Sequence, residues 1–223
     1  MVAQVDFNER QITLKLVYWG PPLSGKTTNL KALHQRVEEL NRGRLMMLDT
    51  RDDRTLFFDL LPIFFKASGL SFRMKVYTVP GQPMHEATRR VVLQGSDGVV
   101  FVADSSPAQA EHNKTAWLGL QKHLGNLGLE RIPVLVQYNK RDLPDAVAMP
   151  EADRFGCDPN DVKAATALVG DGVIATFFGL LDRVWDAIDA DMQLGQRFGI
   201  TRSAFTDAVC AHVGAEPRDI LSR

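Results

Sequence analysis

Cysteine is almost absent. Cys157 and Cys210 are the only two in 223 residues, they stand far apart, and they form no CxxC pair, so a reduced, cytosolic protein is the simplest expectation. The histidines, His34, His85, His112, His123 and His212, are scattered without ligand spacing and read as surface or helix residues, not as a zinc site. Charge of one sign is also lacking. The 26 basic and 27 acidic side chains leave a net charge of -1, which argues against bulk electrostatic binding to nucleic acid or anionic lipid. No apolar run is long enough to span a membrane. Met1 to Asp6 has no basic-then-apolar signal pattern, Val2 stands where myristoylation needs glycine, and Ile220-Leu221-Ser222-Arg223 offers no cysteine for prenylation. The expectation is a cytoplasmic chain with no nucleic-acid partner and no direct membrane anchor.

What is present is a hydrophobic fraction of 45%, enough for a real core, in a chain long enough for one sizeable domain and an appendage. Apolar runs alternate with helical patterns, which favours a mainly parallel α/β sheet. Ile12 to Trp19 reads as a strand. Gly25 to about Leu40 reads as a helix with Leu30, Leu33, Val37 and Leu40 on one face. Leu45 to Leu48 suits a short strand, and Asp49 to Asp59 a polar loop. Leu60 to Lys66 and Phe72 to Thr78 flank Ala67-Ser68-Gly69 as a hairpin, with Pro62 favouring an edge position for the first arm. A helix from about Pro83 to Leu93 follows. Gly98 to Ala103 and Ile132 to Tyr138 are continuous apolar runs suited to buried central strands. The helix between them carries Trp117, Leu118, Leu120 and Leu124. Val162 to Ala165 suits a last strand, Val173 to Ile188 a closing helix, and Thr201 to Val213 a further helix capped by Thr201 or Ser203. Phe57, Phe58, Phe64 and Phe65 read as mostly core.

Gly20-Pro21-Pro22-Leu23-Ser24-Gly25-Lys26-Thr27 matches the phosphate-loop pattern and lies between an expected strand and an expected helix. Glycine permits close backbone approach, so that successive N–H groups converge on phosphate oxygens, and the helix N-terminus adds a favourable dipole. Lys26 can reach the β- and γ-phosphates, and the Thr27 hydroxyl can ligate magnesium. Pro21 and Pro22 stiffen the loop and remove two amide donors.

Asn139-Lys140-Arg141-Asp142 follows the buried run that ends at Tyr138. Asp142 can accept from the ring N–H and exocyclic amine of guanine, an edge that adenine does not present. The Lys140 stem can lie over the base, and Asn139 can brace the loop. Alone the tetrapeptide is weak. After a phosphate loop, and at the C-terminal end of a strand where such sheets bind ligands, it is strong. In Thr78-Val79-Pro80-Gly81-Gln82, the glycine amide can meet a γ-phosphate and the glutamine can orient a water. Arg51-Asp52-Asp53-Arg54-Thr55 lies in the expected polar loop. Its threonine can sense magnesium and γ-phosphate together, while spacing alone reads Arg51 and Arg54 as solvated loop charge.

These segments resemble the Ras-like small GTPases and, within them, the bacterial MglA-like GTPases of cell polarity and gliding motility. The likeness is carried by Leu23-Ser24-Gly25-Lys26-Thr27-Thr28-Asn29-Leu30, Arg54-Thr55-Leu56-Phe57-Phe58-Asp59, Tyr77-Thr78-Val79-Pro80-Gly81-Gln82 and Asn139-Lys140-Arg141-Asp142-Leu143-Pro144-Asp145, and it covers about residues 7–190. It implies an α/β P-loop NTPase with a Ras-like, mostly parallel sheet flanked by helices over residues 1–190, and a helical C-terminal extension over 191–223. It implies that GTP/GDP is bound by Gly20, Leu23, Ser24, Gly25, Lys26, Thr27, Thr28, Thr55, Gly81, Asn139, Lys140, Asp142 and Ala167, with Mg2+ on Thr27 and Thr55. Arg54 resembles the family's built-in arginine finger and Gln82 its water-orienting residue, with Lys26 completing the catalytic set. Thr78 stands where most Ras-like proteins carry the DxxG aspartate, a loss typical of MglA-like proteins, so magnesium relies more on Thr27, Thr55, phosphates and water. The lysine of the SAK pattern is missing near Ala165-Thr166-Ala167, and the Ala167 amide is the expected partner of the guanine carbonyl. Pro22 stands where MglA-like proteins usually have glycine.

The resemblance implies a GTP-hydrolysing molecular switch, slow by itself. It further implies stimulation by an MglB-like Roadblock-domain GTPase-activating protein that positions Arg54 and Gln82, effector proteins that read the GTP form, and recruitment to a cell pole. Pro22 and Thr78 leave a second reading open at this point, a nucleotide-dependent binding or scaffold module with little hydrolysis. A small-molecule P-loop kinase has no use for Asn139-Lys140-Arg141-Asp142, and no acceptor pocket or lid arginines are discernible in the sequence.

Overall fold

Strand β2 (Gln11–Trp19) follows β1 (Gln4–Asp6), to which it pairs antiparallel. Ile12 and Leu14 of β2 are buried between half-exposed neighbours, and the strand is wholly buried from Leu16 to Trp19. That is the pattern of a strand covered first on one face and then on both. In the computed structural model the described residues are 3–6, 8–38, 42–48, 58–81, 85–149 and 155–213. Expectations resting on Leu40, on residues 49–57 with Arg51, Arg54, Thr55 and Phe57, on Gln82 and Pro83, and on the tail beyond Val213 lie outside them.

The chain continues through α1 (Lys26–Arg36), β3 (Met46–Leu48), β4 (Phe58–Ala67), β5 (Leu70–Thr78), α2 (Glu86–Leu93), β6 (Gly98–Asp104), α3 (Ala110–Leu127), β7 (Val134–Asn139), β8 (Val162–Ala164), α4 (Val173–Met192), α5 (Leu194–Phe198) and α6 (Arg202–Val213). The sheet runs β3-β4-β5-β2-β6-β7-β8. β5, β2, β6, β7 and β8 are mutually parallel, and β4 is antiparallel to both its neighbours. This is the mixed, mostly parallel sheet flanked by helices that the resemblance implies. Parallel order brings the segments after β2, β5, β6, β7 and β8 to one edge, the edge where such sheets bind ligands.

One core lies between the sheet and α1, α4 and α6, and contains Leu14, Leu16, Leu30, Leu33, Ile63, Phe72, Phe177 and Trp185. A second lies on the α2 and α3 side, around Trp19, Val99, Phe101, Leu120 and Tyr138.

Several expectations need correction. The first helix stops at Arg36, because Val37 turns extended (ψ 131) with its N–H on the Leu33 carbonyl. Asp59 belongs to β4, not to the polar loop. The first hairpin arm is not the sheet edge, since β3 lies outside it. β3 pairs only with Phe58–Leu60, and the Pro62 carbonyl faces that side to accept from Gly43 N–H (2.9 Å). The N–H that proline lacks therefore costs no ladder bond. Leu118 is 59% exposed and Phe64 37% exposed, with the Arg73 guanidinium over the Phe64 ring.

The C-terminal helices share the first core. α6 is capped by Thr201, whose Oγ1 accepts from Ala204 N–H at 3.2 Å. Phe205 enters among Phe65, Phe72 and Trp185, at ring separations of 5.5, 5.1 and 4.7 Å. Glu38 N–H donates to the His212 carbonyl at 3.0 Å, tying the end of α6 to the end of α1. Among the described residues no helix is long and apolar enough to cross a membrane. Because α6 and β4 share this core, Phe205→Ala is expected to cost about 3–5 kcal/mol. Urea unfolding followed by tryptophan fluorescence is expected to show that loss as one shifted cooperative transition, without a separate early step for the C-terminal segment.

Candidate functional site

β2 delivers the chain to the sheet edge at Trp19, where the loop 20–27 turns into α1. The last residue before the helix, Gly25, has φ 99, and a Cβ there would stand 2.1 Å from Asn139 Nδ2, so no other residue fits. The Leu23 side chain points outward, 88% exposed, while Ser24 and Lys26 are buried. Thr27 and Thr28 open the helix half-buried.

Lys26 Nζ donates to the Gly20 and Pro21 carbonyls at 3.0 and 2.6 Å. Burial and the nearby Arg89 guanidinium lower its pKa to about 7, against an opposing pull from Asp59. Arg89 itself lies over the Trp19 ring (5.4 Å). A buried ammonium with a guanidinium near it, at the N-terminus of a helix, favours a polyanion over a neutral ligand. The buried Ser24 Oγ has no hydrogen-bond partner among the described residues.

Sequence reasoning missed Asp59. Its Oδ2 accepts from Thr27 Oγ1 at 2.6 Å and from Thr78 Oγ1 at 2.8 Å, and its N–H donates to Thr78 Oγ1 at 3.1 Å. A carboxylate thus stands beside Thr78, supplied by the adjacent strand. The hairpin register held the signal: the ladder from Ala67↔Leu70 to Leu60↔Tyr77 continues to Asp59 opposite Thr78. With its proton on Asp59, the Thr27 oxygen keeps its lone pairs for a cation. Threonine and carboxylate oxygens are the hard donors that suit magnesium. Gly81 backs onto the phosphate loop, where a Cβ would lie 2.3 Å from the Pro22 nitrogen.

The base-side residues gather at the ends of β7 and β8. Asn139 is buried; its Nδ2 donates to the Ser24 carbonyl at 2.8 Å and its Oδ1 accepts from Ala167 N–H at 2.9 Å. The Ala167 amide, expected to face the base, donates here to Asn139. Lys140 takes a left-handed backbone (φ 66), and its Nζ pairs with Asp104 Oδ2 at 2.6 Å. Asp104, from the end of β6, is a second residue that sequence reasoning missed. Asp142 is exposed at the rim. The structure thus brings together Gly20, Leu23, Ser24, Gly25, Lys26, Thr27, Thr28 and Gly81 around the loop after β2, and Asn139, Lys140, Asp142 and Ala167 around the ends of β7 and β8.

No protein-family model matches the chain. Over 150 residues it is 45% identical to Mutual gliding-motility protein MglA of Myxococcus xanthus (strain DK1622), spanning 66% of this chain and 77% of that protein. Over 83 residues it is 36% identical to Small COPII coat GTPase SAR1 of Giardia intestinalis, spanning 35% of this chain and 40% of that one.

Lys26 also gives the site a pH signature. Between its folded value of about 7 and the ordinary lysine value of 10.5, the unfolded chain binds more protons than the folded one, so stability rises with pH. Urea unfolding of nucleotide-free protein at about pH 7.5 and about pH 9.5 is expected to show that rise, and Lys26→Met is expected to flatten it.

Proposed function

The chain belongs to the MglA-like family of Ras-superfamily small GTPases, and we propose that this GTP/GDP switch serves bacterial polarity or motility and is returned to its GDP form by an MglB-like Roadblock-domain activator. Guanine-nucleotide binding and GTP hydrolysis come with the family, which decides against a binding module without turnover. Regulators and effectors are the partners such a switch requires. Recruitment to a cell pole is the matching localisation, and residues 191–223 are an extension built onto the family domain of 1–190.

The reading rests on Asn139, whose amide ties the Ser24 carbonyl of the phosphate loop to the Ala167 segment of the base side. Lys26 then takes a phosphate oxygen in place of its own loop carbonyls, which restores its positive charge. Backbone N–H groups of Leu23 to Thr27 supply donors, with Pro21 and Pro22 supplying none. Asp142 selects guanine by accepting from its two donors. Thr27, backed by Asp59, would hold magnesium together with Thr55, and the ion when bound neutralises phosphate charge. Arg54 stabilises charge on the transferring group, and Gln82 orients the attacking water. Gly81, packed on Pro22, is the described neighbour from which the chain reaches Gln82.

Two measurements test this. Purified wild type is expected to carry guanine nucleotide and to prefer GTP over ATP by orders of magnitude, and Asp142→Asn to lose about 1–3 kcal/mol of that preference; equal affinity of the wild type for both nucleotides overturns the guanine assignment. In single-turnover hydrolysis with a Roadblock-domain activator, Arg54→Ala is expected to lose about a thousandfold of the stimulated rate. An unchanged rate removes Arg54 from the mechanism.

A further inference from the structure

Beneath the two site loops lies a buried amide that touches neither. Gln137 precedes Asn139 by two residues on β7 and so faces the same side of the sheet. Its Oε1 accepts from Asn29 Nδ2 at 2.8 Å, and its Nε2 donates to Asn29 Oδ1 at 2.9 Å and to Thr176 Oγ1 at 2.9 Å. Asn29 Nδ2 also donates to the Gly25 carbonyl at 3.0 Å, and Thr176 Oγ1 to the Gly172 carbonyl at 2.7 Å. Asn29, Gln137 and Thr176 are each 0% exposed.

Gly25 is the N-cap of α1 and closes the phosphate loop; Gly172 is the N-cap of α4 and closes the segment that carries Ala167. The path Gly25–Asn29–Gln137–Thr176–Gly172 therefore joins the two helix caps between which the ligand edge lies. Every side-chain N–H and O–H proton along it has an acceptor. Apolar side chains would fill this space without the desolvation that buried amides cost. A fully satisfied network instead fixes one arrangement of the groups it joins.

We propose that Gln137 is a positioning residue that holds the phosphate loop and the base loop in a fixed relation, so that both grip one nucleotide at once and its release is slow. This rests on the guanine-nucleotide reading above. Asn139 makes the upper bond between the halves, at the ligand edge, and Gln137 the lower one, anchored through Asn29 and Thr176 on the carbonyls of the two helix caps.

The test replaces the pair together, Asn29→Leu with Gln137→Leu, which leaves no orphaned donor because Thr176 keeps Gly172 as its acceptor. Release of mant-GDP is followed by stopped flow, and the thermal midpoint of nucleotide-free protein is measured beside it. The expected result is release at least about tenfold faster than wild type. A control variant, Val184→Ala in the α4 core, reports what lost stability alone does to release. If release in the pair variant equals wild type, or if the control with an equal fall in midpoint speeds release as much, the proposal is overturned. Should the pair variant not fold, Thr176→Val removes one arm of the path. Release severalfold faster than in the midpoint-matched control supports the proposal, and a wild-type rate overturns it. Failure of the wild type to bind mant-GDP at all overturns the nucleotide reading instead, and is read separately.

Discussion

Asn139 makes two hydrogen bonds in opposite directions, one to the Ser24 carbonyl and one from the Ala167 amide. Everything else at the ligand edge is arranged around them. Gly25 lacks a Cβ because that amide passes beside it. β8 reaches the edge because Ala165 N–H returns to the Tyr138 carbonyl and Arg141 N–H to the Ala165 carbonyl. Both bonds are buried, and an unmade bond on either group would cost about 1–3 kcal/mol. The Ser24 loop, Asn139 and the Ala167 segment are therefore held as one piece.

The electrostatics follow from the same enclosure. Taking the Lys26 ammonium out of water is unfavourable, and the neighbouring Arg89 makes it more so, which is why its pKa falls. An anion at this loop would reverse that penalty. Asp59, which accepts from the Thr27 hydroxyl, pulls the Lys26 pKa the other way. One carboxylate thus tempers the positive field and orients a hydroxyl, and the phosphate side stays cationic while gaining an oxygen suited to a metal ion.

What was legible in the sequence was local. The spacing from Gly20 to Thr27, the continuous apolar runs before Asp104 and Asn139, and the hairpin at Ser68-Gly69 each declare themselves within a short window, and the sheet places them correctly. What was not legible was long-range pairing. Asp59 and Thr78 meet only through a strand register, and Lys140 and Asp104 meet only because β6 and β7 are neighbours. Gln137 sits in an apolar run and reads as an isolated polar residue in a strand until Asn29 and Thr176 are brought to it. Leu118 and Phe64 mislead in the other direction, since apolar periodicity does not say where a helix face or a sheet face is left uncovered.

The displaced carboxylate has a consequence for how this switch is wired. Here it stands near the start of β4, directly after residues 49–57 and hydrogen-bonded to the last residue of β5. The Thr27 hydroxyl is thereby oriented from β4, not from an acid of β5, the strand that leads into Gly81. Through Asp59 and Thr78, β4 and β5 meet at one carboxylate oxygen, and β4 carries Phe65, on which Phe205 of α6 rests. A shift of β4 along β5 would therefore be felt both at Thr27 and at the C-terminal helix. The core contact of Phe205 with Phe65 and Phe72 resists such a shift.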